Sequence, residues 1–170
     1  MVAERCFSIL LDISHPTFDS GRLLESQAVC SLYHIIKQMK IDPEQFQWEV
    51  SIGIVTDDEI RSINKKFRNI DKSTDVLSFP LMESDEIDAI PDTIVYVGLP
   101  LMTLGDILIS YDTTVSQAAD RKIPAGERLL ELLIHGLLHL MGFDHENEDD
   151  RNKMETMEED IFNKCMNNSA

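Results

Sequence analysis

Apolar and polar positions change period several times along the chain, and each change marks an element. From Cys6 to Ile13, Phe7, Ile9, Leu11 and Ile13 alternate with the opposite face, the pattern of a strand. Leu24, Ala28, Leu32, Ile35 and Met39 recur at helical spacing, which predicts a helix from about Arg22 to Lys40, closed by Asp42-Pro43. Phe46, Trp48, Val50, Ile52 and Ile54 give the clearest period of two, a strand with one buried face. Thr56-Asp-Asp-Glu59 has the form of a capping box and opens a short helix expected to bury Ile60, Ile63 and Phe67. A third strand is predicted from Asp75 to Phe79, stopped by Pro80.

From Leu81 to Met102 the pattern weakens. Its first part is acidic and loop-like, while Thr93 to Val97 fits an irregular strand or a hairpin arm. Gly105 to Ser110 reads as another buried strand, running into a helix through about Ala119, with Pro124-Ala-Gly126 as the break. From about Glu127 to Met141 the chain is apolar nearly all round, so that helix must lie in the core. A last helix, about Glu148 to Lys164, packs through Met154, Met157, Ile161 and Cys165. Strands mixed with about five helices, without repeat or linker, predict an α+β fold in one compact domain spanning residues 1–170.

Composition narrows the class. A chain of 170 residues with 43% hydrophobic content suits one well-packed core and is short for two. No apolar stretch reaches membrane-spanning length, no secretory signal pattern opens the chain, and Cys6, Cys30 and Cys165 are scattered without C-x-x-C spacing. These features predict a reducing cytoplasm and no membrane partner. The net charge of −16 opposes broad attraction to nucleic acid and leaves room only for a local basic groove. Between Asp144 and Asp160, nine acidic residues face Arg151 and Lys153, which reads mostly as a solvated helix face.

The chemistry is concentrated in His135-Gly-Leu-Leu-His139-Leu-Met-Gly142-Phe-Asp144-His145. Histidines four apart stack on one side of a helix, so both imidazoles reach one ion. Gly142 can end that helix at positive φ and let the chain bring His145 to the same ion. Three imidazoles leave one position of a tetrahedral Zn²⁺ open, as in catalytic sites. The spacing H-x-x-x-H-x-x-G-x-x-H is that of the metzincin proteases, but their general-base Glu is replaced by Gly136. Asp144 can ligate, accept a histidine N–H or cap the turn, and the last two roles fit it better.

These segments resemble the bacterial YbeY family. The HGLLHLMGFDH run at 135–145, Phe67-Arg68 with Ser73-Thr-Asp-Val-Leu-Ser-Phe-Pro80, and Leu104-Gly-Asp-Ile-Leu-Ile-Ser110 carry the resemblance in order. It implies a mixed four-stranded sheet with helices and a zinc held by His135, His139 and His145. It also implies single-strand-specific endoribonuclease activity in 16S rRNA 3′-end maturation and late ribosome quality control, in the cytoplasm. The small ribosomal subunit and assembly factors are the implied partners, and no DNA is expected. The acidic stretch at 83–98 departs from the family pattern.

A zinc in this setting makes hydroxide available near neutral pH, and attack on a phosphodiester builds negative charge. Arg68 is the best candidate to hold that charge in a guanidinium fork, and the resemblance also places it at the cleft; a surface charge at a helix C-terminus is the lesser alternative. The catalytic candidates are therefore Arg68, His135, His139 and His145. Lys65, Lys66, Arg68 and Lys72 form the densest basic cluster, either an RNA track or solvated helix residues. Glu131 stands one turn before His135 and reads as a surface glutamate more readily than as a base. Ser78 and Thr74 suit bracing a loop better than nucleophilic attack. Two other functions fit the residues: a metal-dependent hydrolase of a non-RNA substrate, and a ribosome assembly factor with a structural zinc.

Overall fold

Strands β1 (Phe7–Ile13), β2 (Gln47–Val55) and β4 (Leu101–Ser110) run parallel, and β3 (Val76–Pro80) joins β4 antiparallel, giving the order β1-β2-β4-β3. Five helices flank them: α1 (Gly21–Gln38), α2 (Asp57–Arg68), α3 (Tyr111–Arg121), α4 (Ala125–Leu140) and α5 (Glu148–Asn168). This computed structural model describes residues 6–83, 86, 87, 89, 90, 99–145 and 147–168. The mixed sheet and five helices are the α+β arrangement the sequence predicts; the segment from Thr93 to Val97 lies outside the described residues.

The core is built on one face of the sheet. Trp48, Val50, Ile52 and Ile54 of β2 are fully buried and share a cluster with Leu32 and Ile35 of α1, Leu133 and Leu137 of α4, and Met154 and Ile161 of α5. The Trp48 indole keeps its polar edge satisfied by donating to the Pro43 carbonyl at 3.0 Å. Helix α4 is the central layer, as its apolar circumference requires, with nine of its residues buried. No helix of the described residues is long and apolar enough to cross a membrane.

Among the described residues, the opposite face is covered at one corner. There α2 packs Ile60 on Val55 and Leu77, with Ile63, Phe79 and Leu108 partly buried around them. Strand β2 is therefore buried on both faces near its C-terminal end, where one buried face was expected. The capping box at Thr56 and Glu59 forms as predicted. Phe67 is not buried: it is 62% exposed, and its only ring–ring contact among the described residues is a T-shaped one to Phe79 of β3. Strand β4 begins at Leu101, four residues earlier than Gly105. A bulge hides that start, since Glu49 pairs with Thr103 while Val50 pairs with Gly105, and the skipped Leu104 breaks the alternation. Gly105 sits at φ 134, and a Cβ there would stand 2.2 Å from the Phe79 carbonyl oxygen.

Candidate metal centre

The histidines are placed by how α4 ends. Met141 caps the helix and Gly142 follows at φ 82; the Phe143 N–H then donates to the Leu138 carbonyl at 3.0 Å and the Gly142 N–H to that of His139 at 3.1 Å. This paired closure is a Schellman turn, and glycine is the residue that enters it without strain. The turn does two things for the site. It carries the chain back so that His145 reaches the helix, and it aims the Phe143 carbonyl at His139, whose Nδ1 donates to it at 2.9 Å.

One ligand-capable atom from each of His135, His139 and His145 lies within 4.8 Å of the others, so the trio could hold a metal ion. Nδ1 of His135 donates to the Glu158 carboxylate at 2.7 Å. With both Nδ1 atoms donating, His135 and His139 present Nε2 lone pairs that face each other at 3.1 Å. A cation between them turns that repulsion into attraction. Tetrahedral zinc–nitrogen bonds of ~2.0–2.1 Å would set such nitrogens ~3.3 Å apart, so this pair fits, and the His145 ligand atom lies within 4.8 Å of both. Burial, reinforced by the neighbouring His135, pushes the His139 pKa below the usual imidazole range, which favours the neutral form that ligates. Asp144 stays outside this group; its carboxylate accepts the His145 backbone N–H at 2.7 Å and caps the turn.

Gly136, where a metzincin carries its base, has no room for a side chain. A Cβ there would stand 2.9 Å from Cγ2 of Ile107 and 3.2 Å from the Ser78 hydroxyl. Helix α4 lies directly on β4 and β3 at this point, which brings the histidines to the β3 side of the sheet.

A cleft of about 980 Å³ runs along that side, lined by the three histidines, Arg68, Thr74, Ser78 and Leu81 among others. Arg68 is the last residue of α2, and Asn69 turns the chain in the left-handed conformation behind it. Among the described residues no carboxylate pairs with Arg68. The rest of the basic cluster is dispersed: Lys65 and Arg61 both bind Asp71, Lys66 lies over the Phe67 ring, and Lys66 and Lys72 are not in the cleft wall. Thr74 and Ser78 line the cleft, with Thr74 bonded to Asp75 and Ser78 set against Gly136.

Glu131 is held by Arg121 and by Arg128, the latter at 2.9 Å. Burial would raise its pKa, but the two guanidiniums outweigh that and hold the carboxyl below the usual range. It is a structural ion-pair member and neither a loose surface group nor a free base. The residue missed from the sequence is Glu158, absorbed there into the acidic run. Its position carried a signal: it lies four residues after Met154 and three before Ile161, so it belongs to the inward stripe of α5.

The α+β scaffold brings three convergent imidazoles that could hold a metal ion and an arginine into one open cleft. The profile of the family described as Endoribonuclease YbeY matches residues 20–166, and the chain belongs to that family. Endoribonuclease YbeY of Caldanaerobacter subterraneus is 34% identical over 155 residues, 91% of this chain and 95% of that protein. Its counterpart in Rhizorhabdus wittichii is 38% identical over 110 residues, 65% of this chain, and there the match spans 63% of the relative's length. The solution structure of a Thermotoga maritima protein matches with a TM-score of 0.61 and 28% identity, covering 95% of this chain and 91% of that one.

Proposed function

We propose that this chain is a zinc-dependent, single-strand-specific endoribonuclease acting in 16S rRNA 3′-end maturation and late ribosome quality control, as one domain over residues 1–170. Its partners in this reading are the small ribosomal subunit and its assembly factors, and its place of action is the cytoplasm. The observation that carries the reading is that Arg68 and the three histidines line the same open cleft. Membership of the endoribonuclease family supports a phosphodiester as the reacting group. Zinc suits an all-imidazole donor set with a fourth position open, and when bound it supplies Lewis acidity toward water and phosphoryl oxygen.

The chain's own residues do the rest. Glu158 and the Phe143 carbonyl fix the tautomers of His135 and His139, so their Nε2 atoms stay available as ligands. Arg68 forks two oxygens of the phosphodiester and offsets the charge that develops during displacement. No side chain at position 136 takes a proton, so the proton released by the nucleophile, water or the RNA 2′-hydroxyl, passes to solvent where a peptidase would use its glutamate. In this reading the cleft along β3, lined by residues of α4 and of the 80–83 segment, takes a flexible single strand.

The test is cleavage of one sequence as single-stranded RNA, as an RNA duplex and as DNA, with zinc-loaded and chelated protein. Only the zinc-loaded protein on single-stranded RNA is expected to cut, and trimming of 16S precursor in immature small subunits should follow the same pattern. Cleavage that survives chelation, or that treats the three substrates alike, would overturn the proposal.

A further inference from the structure

Phe67 closes the apolar stripe of α2 but has nothing to pack under: Ile60 is fully buried, while Phe67 is 62% exposed. The ring has two neighbours: Phe79 of β3 meets it in a T-shaped contact, with centroids 5.5 Å apart, and the Lys66 ammonium lies over it, 5.0 Å from its centroid. Its chain neighbour Arg68 lines the metal cleft, and so do Pro80 and Leu81, which follow Phe79. Phe67 and Phe79 are not themselves part of the cleft wall; the pair adjoins it through Arg68, whose Cα lies ~3.8 Å from that of Phe67. Leu81, 65% exposed, adds an apolar side chain to the cleft wall.

Water is a poor neighbour for an exposed aromatic ring. An apolar protein surface covering it would have to strip water from Lys66 and Arg68 as well, which is costly for unpaired charges. A nucleotide satisfies both: its base offers a flat face to the ring and its phosphate an anion to the cations. A base in a duplex already has both faces stacked, whereas an unpaired one is free to move. We propose that Phe67, in contact with Phe79, is a stacking platform for an unpaired nucleobase of the strand whose phosphate Arg68 grips. This rests on the RNA reading above and gives that reading a physical source of single-strand selectivity. Stacking on a π-face is tolerant of sequence, so the platform selects an unstacked base and not a particular one.

The test uses zinc-loaded protein and a fluorescein-labelled oligoadenylate, with binding followed by anisotropy and cleavage by gel. Wild type is compared with Phe67→Leu, which keeps apolar bulk without the π-face, and with Phe67→Trp, which keeps both. Phe67→Leu should weaken binding and raise KM about tenfold. Its kcat should stay within about twofold, because stacking is shared by ground and transition states. Phe67→Trp should restore wild-type values. In wild type, moving one abasic site along the oligonucleotide should find a position with the same loss, and that loss should vanish in Phe67→Leu. Wild-type behaviour of Phe67→Leu, or an abasic penalty unchanged in that variant, would overturn the platform while leaving the nuclease reading intact. A wild-type protein that neither binds nor cuts the oligonucleotide would overturn both. A Phe67→Leu defect confined to association with ribosomal subunits would assign the ring to a protein contact and overturn the platform.

Discussion

Glu158 on α5 accepts a hydrogen bond from Nδ1 of His135 on α4 at 2.7 Å, and so couples the acidic helix to the metal centre. A carboxylate in that place fixes the ring, keeps Nε2 unprotonated and makes the imidazole a stronger donor.

Glu158→Ala should therefore lower metal affinity about 10–100-fold, the scale for losing such a partner. Glu158→Gln, which can still accept through its amide oxygen, should fall between. Competition against a chromophoric chelator measures this directly, and thermal unfolding of the metal-free variants should stay close to wild type. Unchanged affinity in both variants would make the contact incidental.

Metal removal should lower the melting temperature. The ligands converge only when α4 and its closing turn are folded, so binding is linked to the native state. Calorimetry before and after verified chelation checks this, and His139→Ala should melt like the chelated wild type. An identical melting curve with and without metal would separate site from fold.

Gly136→Ala should destabilise, against the usual preference of helices for alanine. Helix propensity alone favours the change by about 1 kcal/mol. The new Cβ meets buried Ile107 at 2.9 Å, and overpacking of that kind costs about 1–3 kcal/mol. A denaturant midpoint that rises in the variant would show that α4 can lift from the sheet without penalty.

Glu131 gives a pH dependence with a definite sign. Its folded-state pKa is depressed by Arg121 and Arg128 against the opposing effect of burial. Its contribution to stability is therefore complete above the ordinary glutamate pKa of ~4.3 and is lost as pH falls through the lower folded value. Glu131→Gln should melt below wild type at neutral pH, and the gap should close in acid. A gap that is constant with pH would contradict the ion-pair account.

Elements were legible where one physical requirement set the pattern. The period-two run of β2, the capping box of α2 and the all-round apolarity of α4 each describe how a residue meets the core, and each appears in place. The three histidines were legible because helix geometry and a glycine turn are local. What was not legible depended on distant partners. The early start of β4 is hidden by a bulge that only pairing with β2 reveals. The exposure of Phe67 is a tertiary outcome that the helical spacing of α2 does not reveal. Glu158 was readable only as a charge in an otherwise apolar stripe, and the surrounding acidity masked it. Arg68 reaches the cleft because Asn69 turns the chain behind it, a local feature whose consequence depends on where β3 runs.

The central claim is that the three histidines and Arg68 act together on RNA, and one assay tests it most directly. Zinc content and single-stranded RNA cleavage are measured side by side for wild type, His139→Ala and Arg68→Ala. Wild type should hold about one zinc per chain with its fourth position open, and should cut. His139→Ala should lose both metal and cleavage. Arg68→Ala should keep metal and fold while turnover falls about 10²–10³-fold, the scale for removing one donor to developing charge. Arg68→Lys should recover only part of that, because an ammonium keeps the charge and loses the fork. Equal cleavage by the wild-type, His139→Ala and Arg68→Ala preparations would contradict the account.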